Sequence, residues 1–503
     1  MAEPALVARA RGHGPRPAVH ADDGSATHAD LVAGAERVAA GLLAHEPSAP
    51  TSLDGARIAH LVAPGVPSTT ALWGTWLAGG VAVPLALSHP RPELRRTLAD
   101  SGASALLVDR DRRDDVAALA DDLGVRLLVV EDLPPAGEGW AGADVPGSAP
   151  ALIVYTSGST GPPKGAVWTH DALIQEVRTL ESAWRYEPDD VCLLVLPLHH
   201  MHGLVNVVTT TLWAGGAVRV MPRFDPVAVW DAMADLTVVM AVPTIYHRLI
   251  AAVEEAPAAW RERVCADAAR LRLMVSGSAA LPVGVLERWE ELTGHVLLER
   301  YGMTEIGMAL SNPHDGLRRA GTVGRPLPGV EVRVVDDIGR DVPDGEAGGL
   351  LVRGDGMFRG YWGRPDATAE AFRDGWFVTG DVVVRDHDGV FTIRGRESVD
   401  IIKTGGFKVS ALEIEEVLRD HPAVTDCAVV GLADDEWGQV VGAALVAPAD
   451  GEPPDGGAVV TWVGERLAPY KVPRRVVVVD DLPRNALGKV VKPRVVAELF
   501  GRP

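Results

Sequence analysis

Short aliphatic runs alternate with helical segments over the first three hundred residues, and this alternation limits the possible folds more than any other feature. Ala56–Val62, Ala105–Val108 and Val125–Val130 are rich in β-branched and aliphatic residues, as buried parallel strands are. Pro92–Ser101 and Arg113–Leu123, which lie between them, have helical patterns. Alternation of this kind predicts βαβ units and mainly parallel sheets.

The pattern changes after about residue 320 and again near residue 396. Strands such as Val330–Val335 are separated by turn sequences such as Asp388-Gly389, which indicates an antiparallel β region. Beyond it, Ala411–Arg419 has a helical pattern and Val424–Val430 a strand pattern. We therefore predict an α/β protein with a large domain over 1–396, its β subdomain at about 320–396, and a small α+β domain over 397–503.

Charge and cysteine content narrow the function classes. A net charge of −20 argues against a broad nucleic-acid-binding face, because phosphate contacts need clustered Lys and Arg. Cys192, Cys265 and Cys427 are too far apart for a disulfide framework or a zinc motif, which is typical of a reducing compartment. The N-terminus lacks an apolar signal-peptide core, and Ala71–Leu87 is interrupted by Gly and Pro and short for a bilayer span. We expect a cytoplasmic protein without membrane or nucleic-acid partners.

The strongest single motif is the string YTSGSTGPPKG, residues Tyr155–Gly165, which follows the aliphatic strand Ala151–Val154. Small and hydroxyl residues let backbone N–H groups approach an anion closely, and Lys164 adds a positive charge. The string is not a Walker A loop, because Gly161 and Lys164 are three residues apart and a glycine follows the lysine. An ordinary Gly/Ser loop is the simpler alternative, and the length of the string argues against it.

The string resembles the phosphate-loop signature of the acyl-adenylate-forming superfamily, which includes acyl-CoA synthetases, firefly luciferase and peptide-synthetase adenylation domains. Five further segments resemble motifs of that family in the expected order: Tyr301–Glu305 (YGMTE), Trp376–Asp381 (WFVTGD), Arg394–Arg396 (RGR), Lys403–Val409 (KTGGFKV) and Asn485–Lys489 (NALGK). The resemblance implies two reactions. A carboxylate attacks the α-phosphorus of ATP to give an acyl-adenylate and pyrophosphate, and a thiol then attacks the acyl group and releases AMP.

The resemblance also implies an ATP site. It assigns to ATP the residues Thr156, Ser157, Gly158, Ser159, Thr160, Gly161, Lys164, Ser276, Gly277, Ser278, Ala279, Glu299, Arg300, Tyr301, Gly302, Met303, Thr304, Asp381, Arg396 and Lys489. Thr304 would contact the α-phosphate, Asp381 the ribose hydroxyls, and Glu305 with Thr160 would bind Mg²⁺. Lys489 would bridge the substrate carboxylate and the α-phosphate. The simpler alternatives are a helix cap at Thr304-Glu305, a turn aspartate at 381 and a solvated lysine at 489.

The segment His199–Gly203 (HHMHG) resembles the acyl-pocket motif of the family. Its three histidines could suggest a metal site, but consecutive residues on a regular element cannot all face one ion. The resemblance assigns to the acyl pocket His200, with a catalytic part, and Met201, His202, Asn206, Ser276 and Met303.

The strings Glu299–Met308 and Asp400–Ser410 look most like the malonyl-CoA and methylmalonyl-CoA synthetase branch. A dicarboxylate needs a second cation, and Arg300 and Arg248 are the candidates. Arg300 could instead pair with Glu299 or Glu305, and Arg248 could lie on a helix surface. Without such an arginine, a neutral short or aromatic acid would be favoured.

The small domain is expected to be mobile and to alternate between two poses, one for each reaction. In the second pose the resemblance brings Lys403, Gly405, Gly406, Phe407, Lys408 and Trp437 to the thioester step with coenzyme A. The hinge could be Ser398 or Asp400. Two other functions stay open: loading of a carrier protein, and nucleotide binding without catalysis. Acetylation of Lys489 would remove its charge, so a lysine acetyltransferase and a deacetylase are conceivable partners.

Overall fold

Two large sheets, of nine and seven strands, form most of the N-terminal part of the chain. The computed structural model describes residues 3–21, 24–44, 51–137, 142–156, 163–405, 407–434, 436–448, 453–484 and 488–501. Across those ranges, no helix is both long enough and apolar enough to cross a bilayer.

The strands are named in chain order. They are β1 (Pro17–Ala21), β2 (Gly24–Thr27), β3 (Arg57–Leu61), β4 (Val81–Pro84), β5 (Ala105–Val108), β6 (Arg126–Val129), β7 (Pro150–Thr156), β8 (Lys164–Thr169), β9 (Val191–Leu194), β10 (Ala217–Val220), β11 (Val238–Ala241), β12 (Leu273–Ser276), β13 (Leu298–Met303), β14 (Gly307–Ser311), β15 (Arg325–Pro326), β16 (Val330–Val335), β17 (Ala347–Gly354), β18 (Gly360–Tyr361), β19 (Phe372–Arg373), β20 (Trp376–Arg385), β21 (Phe391–Arg396), β22 (Ile401–Thr404), β23 (Phe407–Ser410), β24 (Asp426–Asp434), β25 (Gly438–Val446) and β26 (Arg475–Val479).

The α-helices are named in the same way. They are α1 (Ala5–His13), α2 (His28–Ala44), α3 (Val66–Leu77), α4 (Arg91–Ser101), α5 (Arg113–Leu123), α6 (His170–Ala183), α7 (Thr210–Ala214), α8 (Pro226–Ala232), α9 (Pro243–Glu254), α10 (Ala258–Ala268), α11 (Val283–Thr293), α12 (Pro365–Ala371), α13 (Ala411–Arg419), α14 (Gly456–Gly464) and α15 (Lys492–Val495). Two π-helical segments, His202–Thr209 and Val496–Phe500, adjoin α7 and α15. Side-chain caps begin several helices, as Thr169 does for α6 and Ser410 for α13.

The nine-stranded sheet has the order β15-β14-β13-β12-β11-β9-β10-β1-β2, and the seven-stranded sheet has the order β18-β8-β7-β4-β3-β5-β6. The strands from β13 through to β1 pair in parallel, and so do β7, β4, β3, β5 and β6. Aliphatic side chains and buried tryptophans such as Trp73, Trp76 and Trp168 fill the core between the elements. This arrangement confirms the α/β class with mainly parallel sheets.

A five-stranded antiparallel sheet of β16, β17, β19, β20 and β21 follows, and it is the predicted small β region. The last sheet, in the order β23-β22-β25-β24 with β26 beside β25, packs against α13 and α14 around its own apolar core. Strand β21 ends at Arg396 and β22 begins at Ile401, so only a four-residue turn joins these two sheets.

Candidate active site

The carboxyl ends of the parallel strands meet at one edge of the nine-stranded sheet, where ligands of α/β proteins commonly bind. Strand β11 ends at Ala241, β12 at Ser276 and β13 at Met303. Strand β9 ends nearby at Leu194 and leads into the histidine segment. The topology therefore brings the predicted ATP-binding segment Ser276–Ala279 and the YGMTE and HHMHG motifs to one place.

The phosphate loop sits at the end of a β-hairpin. Strands β7 and β8 are antiparallel, with Thr156 opposite Lys164 and Tyr155 opposite Gly165. Both strands are anchored in the seven-stranded sheet, so the residues at either end of the loop have fixed positions. The predicted loop residues Ser157, Gly158, Ser159, Thr160 and Gly161 lie outside the described residues.

Glu305 lies at the turn between β13 and β14 and is held from two sides. The hydroxyl of Tyr361 donates to Oε1 of Glu305 at 2.8 Å, and the backbone N–H of Phe358 donates to its carbonyl at 2.9 Å. The indole N–H of Trp168 donates to the carbonyl of Thr304 at 3.0 Å. Burial raises the pKa of Glu305, and the nearby positive charges of Arg396 and Lys164 act in the opposite direction.

A second polar group surrounds Asp381 on β20. Its Oδ2 accepts from the hydroxyl of Tyr301, and its Oδ1 accepts from Nε of Arg396 at 3.1 Å. Burial and the carboxylate of Asp381 raise the pKa of Tyr301 well above its usual value, so the phenol stays protonated. Because Arg396 is also close enough to act on the pKa of Glu305, these side chains and Lys164 form one continuous cluster.

The predicted ATP-binding segment Ser276–Ala279 begins at the last residue of β12. Gly277 has no side chain, and a Cβ there would come within 2.5 Å of Cζ of Arg300. Ser278 adopts a left-handed conformation with φ of 69°, and its Oγ lies 3.1 Å from Nδ1 of His202. Glu299 supports this turn, because its Oε1 accepts from the N–H of Leu281 at 2.9 Å. Burial raises the pKa of the Glu299 carboxyl to about 8.

The neighbouring pocket contains buried polar atoms that lack partners. Arg300 is 3% exposed, and two of its nitrogens, Nε and one terminal nitrogen, have no hydrogen-bond partner among the described residues. The same is true of Oγ of Ser276, Nε2 of His202 and both amide atoms of Asn206. Burial lowers the pKa of Arg300 to about 10, which leaves it charged at neutral pH. Unpaired buried groups are costly, so this set fits a polar ligand.

The histidine segment forms one wall of that region. His199 and His200 have ring centroids 4.0 Å apart, and His89 packs against His199 at 5.5 Å. Burial lowers the pKa of His200 to about 4, so its ring is neutral at physiological pH. Met201 is buried, and His202 begins the π-helical segment that carries Asn206. Such segments are often found at functional sites. Within the described ranges, no three His, Cys, Asp or Glu residues are grouped to hold a metal ion.

The structure places Arg248 on the surface of helix α9, as the alternative for this residue expected. Helix α9 buries the face that carries Tyr246, Leu249 and Val253, and this turns Arg248 to the exposed side. Its guanidinium lies over the ring of Phe224, 5.7 Å from the centroid. Of the two predicted arginines, Arg300 is therefore the buried one and Arg248 the exposed one.

The residues predicted for the thioester step group together on the small C-terminal sheet. Gly405 has a φ of 54° and lies against the ring of Trp437, and Phe407 stacks on Tyr470 with centroids 4.2 Å apart. Lys403 is exposed on β22, Gly406 lies outside the described residues, and Nζ of Lys408 contacts Oδ1 of Asp337 at 2.8 Å. The hairpin of β22 and β23 thus carries these residues together and touches the turn after β16 through Lys408.

The turn with Lys489 approaches the sheet edge from the C-terminal side. A Cβ on Gly488 would lie 3.8 Å from Oγ1 of Thr244, at the start of α9 beyond β11. Two further contacts join the parts: the N–H of Val283 donates to Glu416, and Lys408 pairs with Asp337. Residues 485–487 of the NALGK motif lie outside the described residues.

Comparison with known proteins agrees with this geometry. The AMP-binding enzyme family matches residues 6–362, and the AMP-binding enzyme C-terminal domain matches residues 413–489. The mitochondrial malonate–CoA ligase ACSF3 of Homo sapiens is 43% identical over 480 residues, which cover 87% of this chain and 82% of that protein.

Two solved structures are also similar. ATP-bound MatB from Rhodopseudomonas palustris has a TM-score of 0.90 and 36% identity, with 99% of each chain covered. A malonyl-CoA ligase in a ternary product complex with methylmalonyl-CoA and AMP has a TM-score of 0.68 and 38% identity, covering 94% of this chain and 97% of that one. The present chain therefore belongs to the AMP-binding enzyme family and is an AMP-forming acid–thiol ligase that makes acyl-CoA through an acyl-adenylate.

Proposed function

We propose that the acid is a short dicarboxylate, malonate or methylmalonate, and that the product is its mono-CoA thioester. The observation that carries this proposal is the buried Arg300 guanidinium, two of whose nitrogens lack partners in the described part of the chain. Relatives that are named for malonate and methylmalonyl-CoA support it.

The distal carboxylate of such an acid would meet Arg300. A planar guanidinium can give two parallel hydrogen bonds to one carboxylate, and in a buried pocket this pairing is strongly favoured over an unpaired charge. Oγ of Ser276 and the amide of Asn206 are further buried polar atoms without partners among the described residues. A monocarboxylic acid of the same length would leave these two guanidinium nitrogens without an acceptor, so we expect the site to discriminate by charge.

The other carboxylate would react with ATP. Lys164 and the loop before it would hold the outer phosphates, Asp381 and Arg396 the ribose, and Thr304 the α-phosphate. Two anions must approach each other in this step, so fixed positive groups lower the barrier by offsetting their repulsion. Lys489 would lie between the attacking carboxylate and the α-phosphate. His200, neutral because it is buried, would line the acyl pocket without adding charge.

Mg²⁺ fits the residues that are present. It binds proteins through one or two carboxylates together with substrate phosphates, and Glu305 is a carboxylate held close to Lys164 at the proposed phosphate position. When bound, the ion would neutralise phosphate charge. Thr160, the other predicted metal residue, lies outside the described residues.

We also propose that residues 1–396 and 397–503 are the two domains and that the small one is here in its adenylation pose. The approach of Gly488 to Thr244 supports this, because it brings the Lys489 turn to the edge where the motifs meet. The TM-score of 0.90 with the ATP-bound structure, against 0.68 with the product complex, supports it as well. Rotation at Ser398 or Asp400 would then turn Lys403, Gly405, Phe407, Lys408 and Trp437 toward the site for the thioester step.

A panel of acids tests the substrate proposal. Malonate, methylmalonate, acetate, propionate and a medium-chain acid are each supplied with ATP and free CoA, and both AMP release and the mass of the thioester are measured. We expect the two dicarboxylates to give the highest kcat/KM. Preference for propionate or a medium-chain acid would overturn the proposal. AMP release that requires a phosphopantetheinylated carrier protein and not free CoA would instead support the carrier-loading alternative.

A further inference from the structure

Lys492 lies three residues beyond Lys489, and its ammonium is buried within a cluster of charges. The residue is 9% exposed, and its Nζ is 2.6 Å from Oδ1 of Asp400 and 2.8 Å from Oε1 of Glu415. The same Oε1 accepts from the N–H of Val429 at 2.9 Å. One lysine thus joins α15 to α13, β24 and the turn that precedes β22.

Asp400 connects this cluster to the N-terminal part of the chain. Its Oδ2 accepts from the backbone N–H of Arg396 at 3.0 Å, and its own N–H donates to the carbonyl of Arg396 at 2.7 Å. Gly395 has a φ of 124°, and a Cβ there would overlap with Cβ of Asp400. One carboxylate therefore contacts the end of β21 with one oxygen and Lys492 with the other.

A cavity of about 300 Å³ lies beside this junction, and Val399, Ile402, Pro493 and Val496 are among the residues that line it. Apolar packing of Val495 holds α15 on the small sheet. The buried ion pair of Lys492 with Asp400 adds a direct link between α15 and the four-residue turn after Arg396. Breaking a buried ion pair strongly destabilises a protein, because it leaves a buried charge without a partner. The positions of the two partners are therefore closely restricted.

The Lys489 turn is also held at its other end. Arg484 donates to the carbonyl of Gly488 at 2.6 Å and pairs with Asp426 on β24. Arg484 thus holds the backbone just before Lys489, and Lys492 holds the chain three residues after it. Arg484 connects the Lys489 turn to the small sheet, whereas Lys492 connects it to the turn through which the small sheet joins β21.

We propose that Lys492 is a positioning residue that fixes Lys489 for the adenylation reaction by tying its turn to Asp400. The proposal rests on the proposed role of Lys489 in that reaction. A displacement of about 1 Å in a catalytic group can lower a rate by about 100-fold. Loss of the Lys492 contacts should therefore affect the reaction that uses Lys489 and spare the reaction that does not.

The test compares four variants of the full-length chain in the two half-reactions. Lys492→Met removes the charge at similar length, Lys492→Arg retains it, Lys489→Ala is the reference, and Arg494→Met is the control. Arg494 lies two residues away on α15 and makes an exposed ion pair with Glu498. Adenylation is measured as acid-dependent pyrophosphate release in single turnover, and the second reaction as thioester formation from supplied acyl-adenylate and CoA.

We expect Lys492→Met to lower the adenylation rate by about 10- to 100-fold while thioester formation stays within about twofold of the wild type. Lys492→Arg should recover most of the rate, and Arg494→Met should change neither reaction. An equal loss in both half-reactions, or no loss in adenylation, would overturn the proposal. If Lys492→Met does not fold, the paired variant Lys492→Met/Glu415→Gln, which removes one charge of each sign, is measured in its place against the same criteria. Should Lys489→Ala leave adenylation intact, the proposed function of Lys489 fails, and that result is distinct from failure at Lys492.

Discussion

Tyr361 donates its hydroxyl hydrogen to Oε1 of Glu305 at 2.8 Å, and its ring centroid lies 4.9 Å from Nζ of Lys164. One aromatic side chain therefore contacts both the carboxylate proposed for Mg²⁺ and the lysine proposed for the phosphates. It comes from β18, a two-residue strand that pairs with β8. Tyr361 fixes the distance between a positive and a negative group that would act on the same triphosphate.

Replacing Tyr361 by Phe should weaken the adenylation reaction. The ring and its contact with Lys164 remain, but Glu305 loses a hydrogen bond to a charged group, which is worth about 1.5–3 kcal/mol. We expect kcat/KM for ATP to fall by about 10- to 100-fold. Tyr246→Phe is the matched control, because that hydroxyl donates to the carbonyl of Val275 inside the core. It should lower the melting temperature and leave kcat/KM for ATP close to wild type, and a similar kinetic loss in both variants would contradict the assignment.

Replacing Arg300 by Met should change the preference among acids. Truncating one partner of a buried charge pair costs about 2–5 kcal/mol, so kcat/KM for malonate should fall by at least about 30-fold. Propionate, which has no distal carboxylate, should lose far less. Arg248→Met removes an exposed arginine over Phe224 and serves as the control, with an unchanged malonate-to-propionate ratio. An Arg300→Met enzyme that keeps the wild-type ratio would refute the assignment of the clamp.

Glu176 on α6 should make a contribution to stability that is lost as pH rises from about 5 to above 8. Its Oε1 accepts from the N–H of Met308 at 2.8 Å, and burial raises the pKa of its carboxyl to about 8, against a smaller opposite effect of Arg300. The folded protein therefore keeps a proton that the unfolded chain releases. This contribution is complete below the unfolded pKa and disappears as pH rises through the folded pKa.

Glu176→Gln tests this dependence, because glutamine keeps an acceptor for Met308 and does not titrate. The melting temperature of the variant minus that of the wild type should become more positive between about pH 6 and pH 9. Glu287→Gln, at an exposed position of α11, controls for the change in net charge. A difference that is constant over this pH range would show that Glu176 has no raised pKa in the folded state.

Acetylation of Lys489 should silence the enzyme, because it removes the charge proposed to bridge the two reactants. Stoichiometric modification at this position is verified by peptide mass, and activity with malonate, ATP and CoA is measured before and after treatment with a deacetylase. We expect loss of acyl-CoA formation and its recovery on deacetylation. Full activity of the acetylated protein would contradict the role given to Lys489.

The fold was predictable from the sequence because its strands are buried on both faces and so are continuously aliphatic. The positions of Ser276, at the end of β12, and Tyr301, near the end of β13, were predictable for a related reason, because the carboxyl ends of parallel strands share an edge. Asp381 lies inside the antiparallel strand β20, and only the resemblance of its motif to the family pointed to it. In the structure Tyr301 contacts Asp381, although no local sequence pattern indicates that contact.

The contacts that support the motifs could not be predicted in this way. Tyr361 reaches Glu305 from a strand of two residues, too short to give a periodic signal. The sequence gives no sign that Glu176 is buried, because an acidic residue in a helix is usually exposed. Only the packing of α6 against other elements shows that it is buried. Arg248 carries the charge that a carboxylate needs, but only the pattern of buried residues on α9 shows which face of the helix it occupies. These three features depend on tertiary packing, which local patterns do not encode.

Gly277 limits which substitutions the site around Arg300 can accept. Any side chain at this position would compete with the guanidinium of Arg300 for the same volume, so the bare backbone is a precondition for the arginine. A Gly277→Ala substitution would displace the Arg300 guanidinium and so disfavour dicarboxylic acids in a single step. An arginine could occupy that space again only after the added methyl group was removed. If Arg300 binds the distal carboxylate as proposed, the absence of a side chain at Gly277 matters for the choice of acid as much as the charge of Arg300 does.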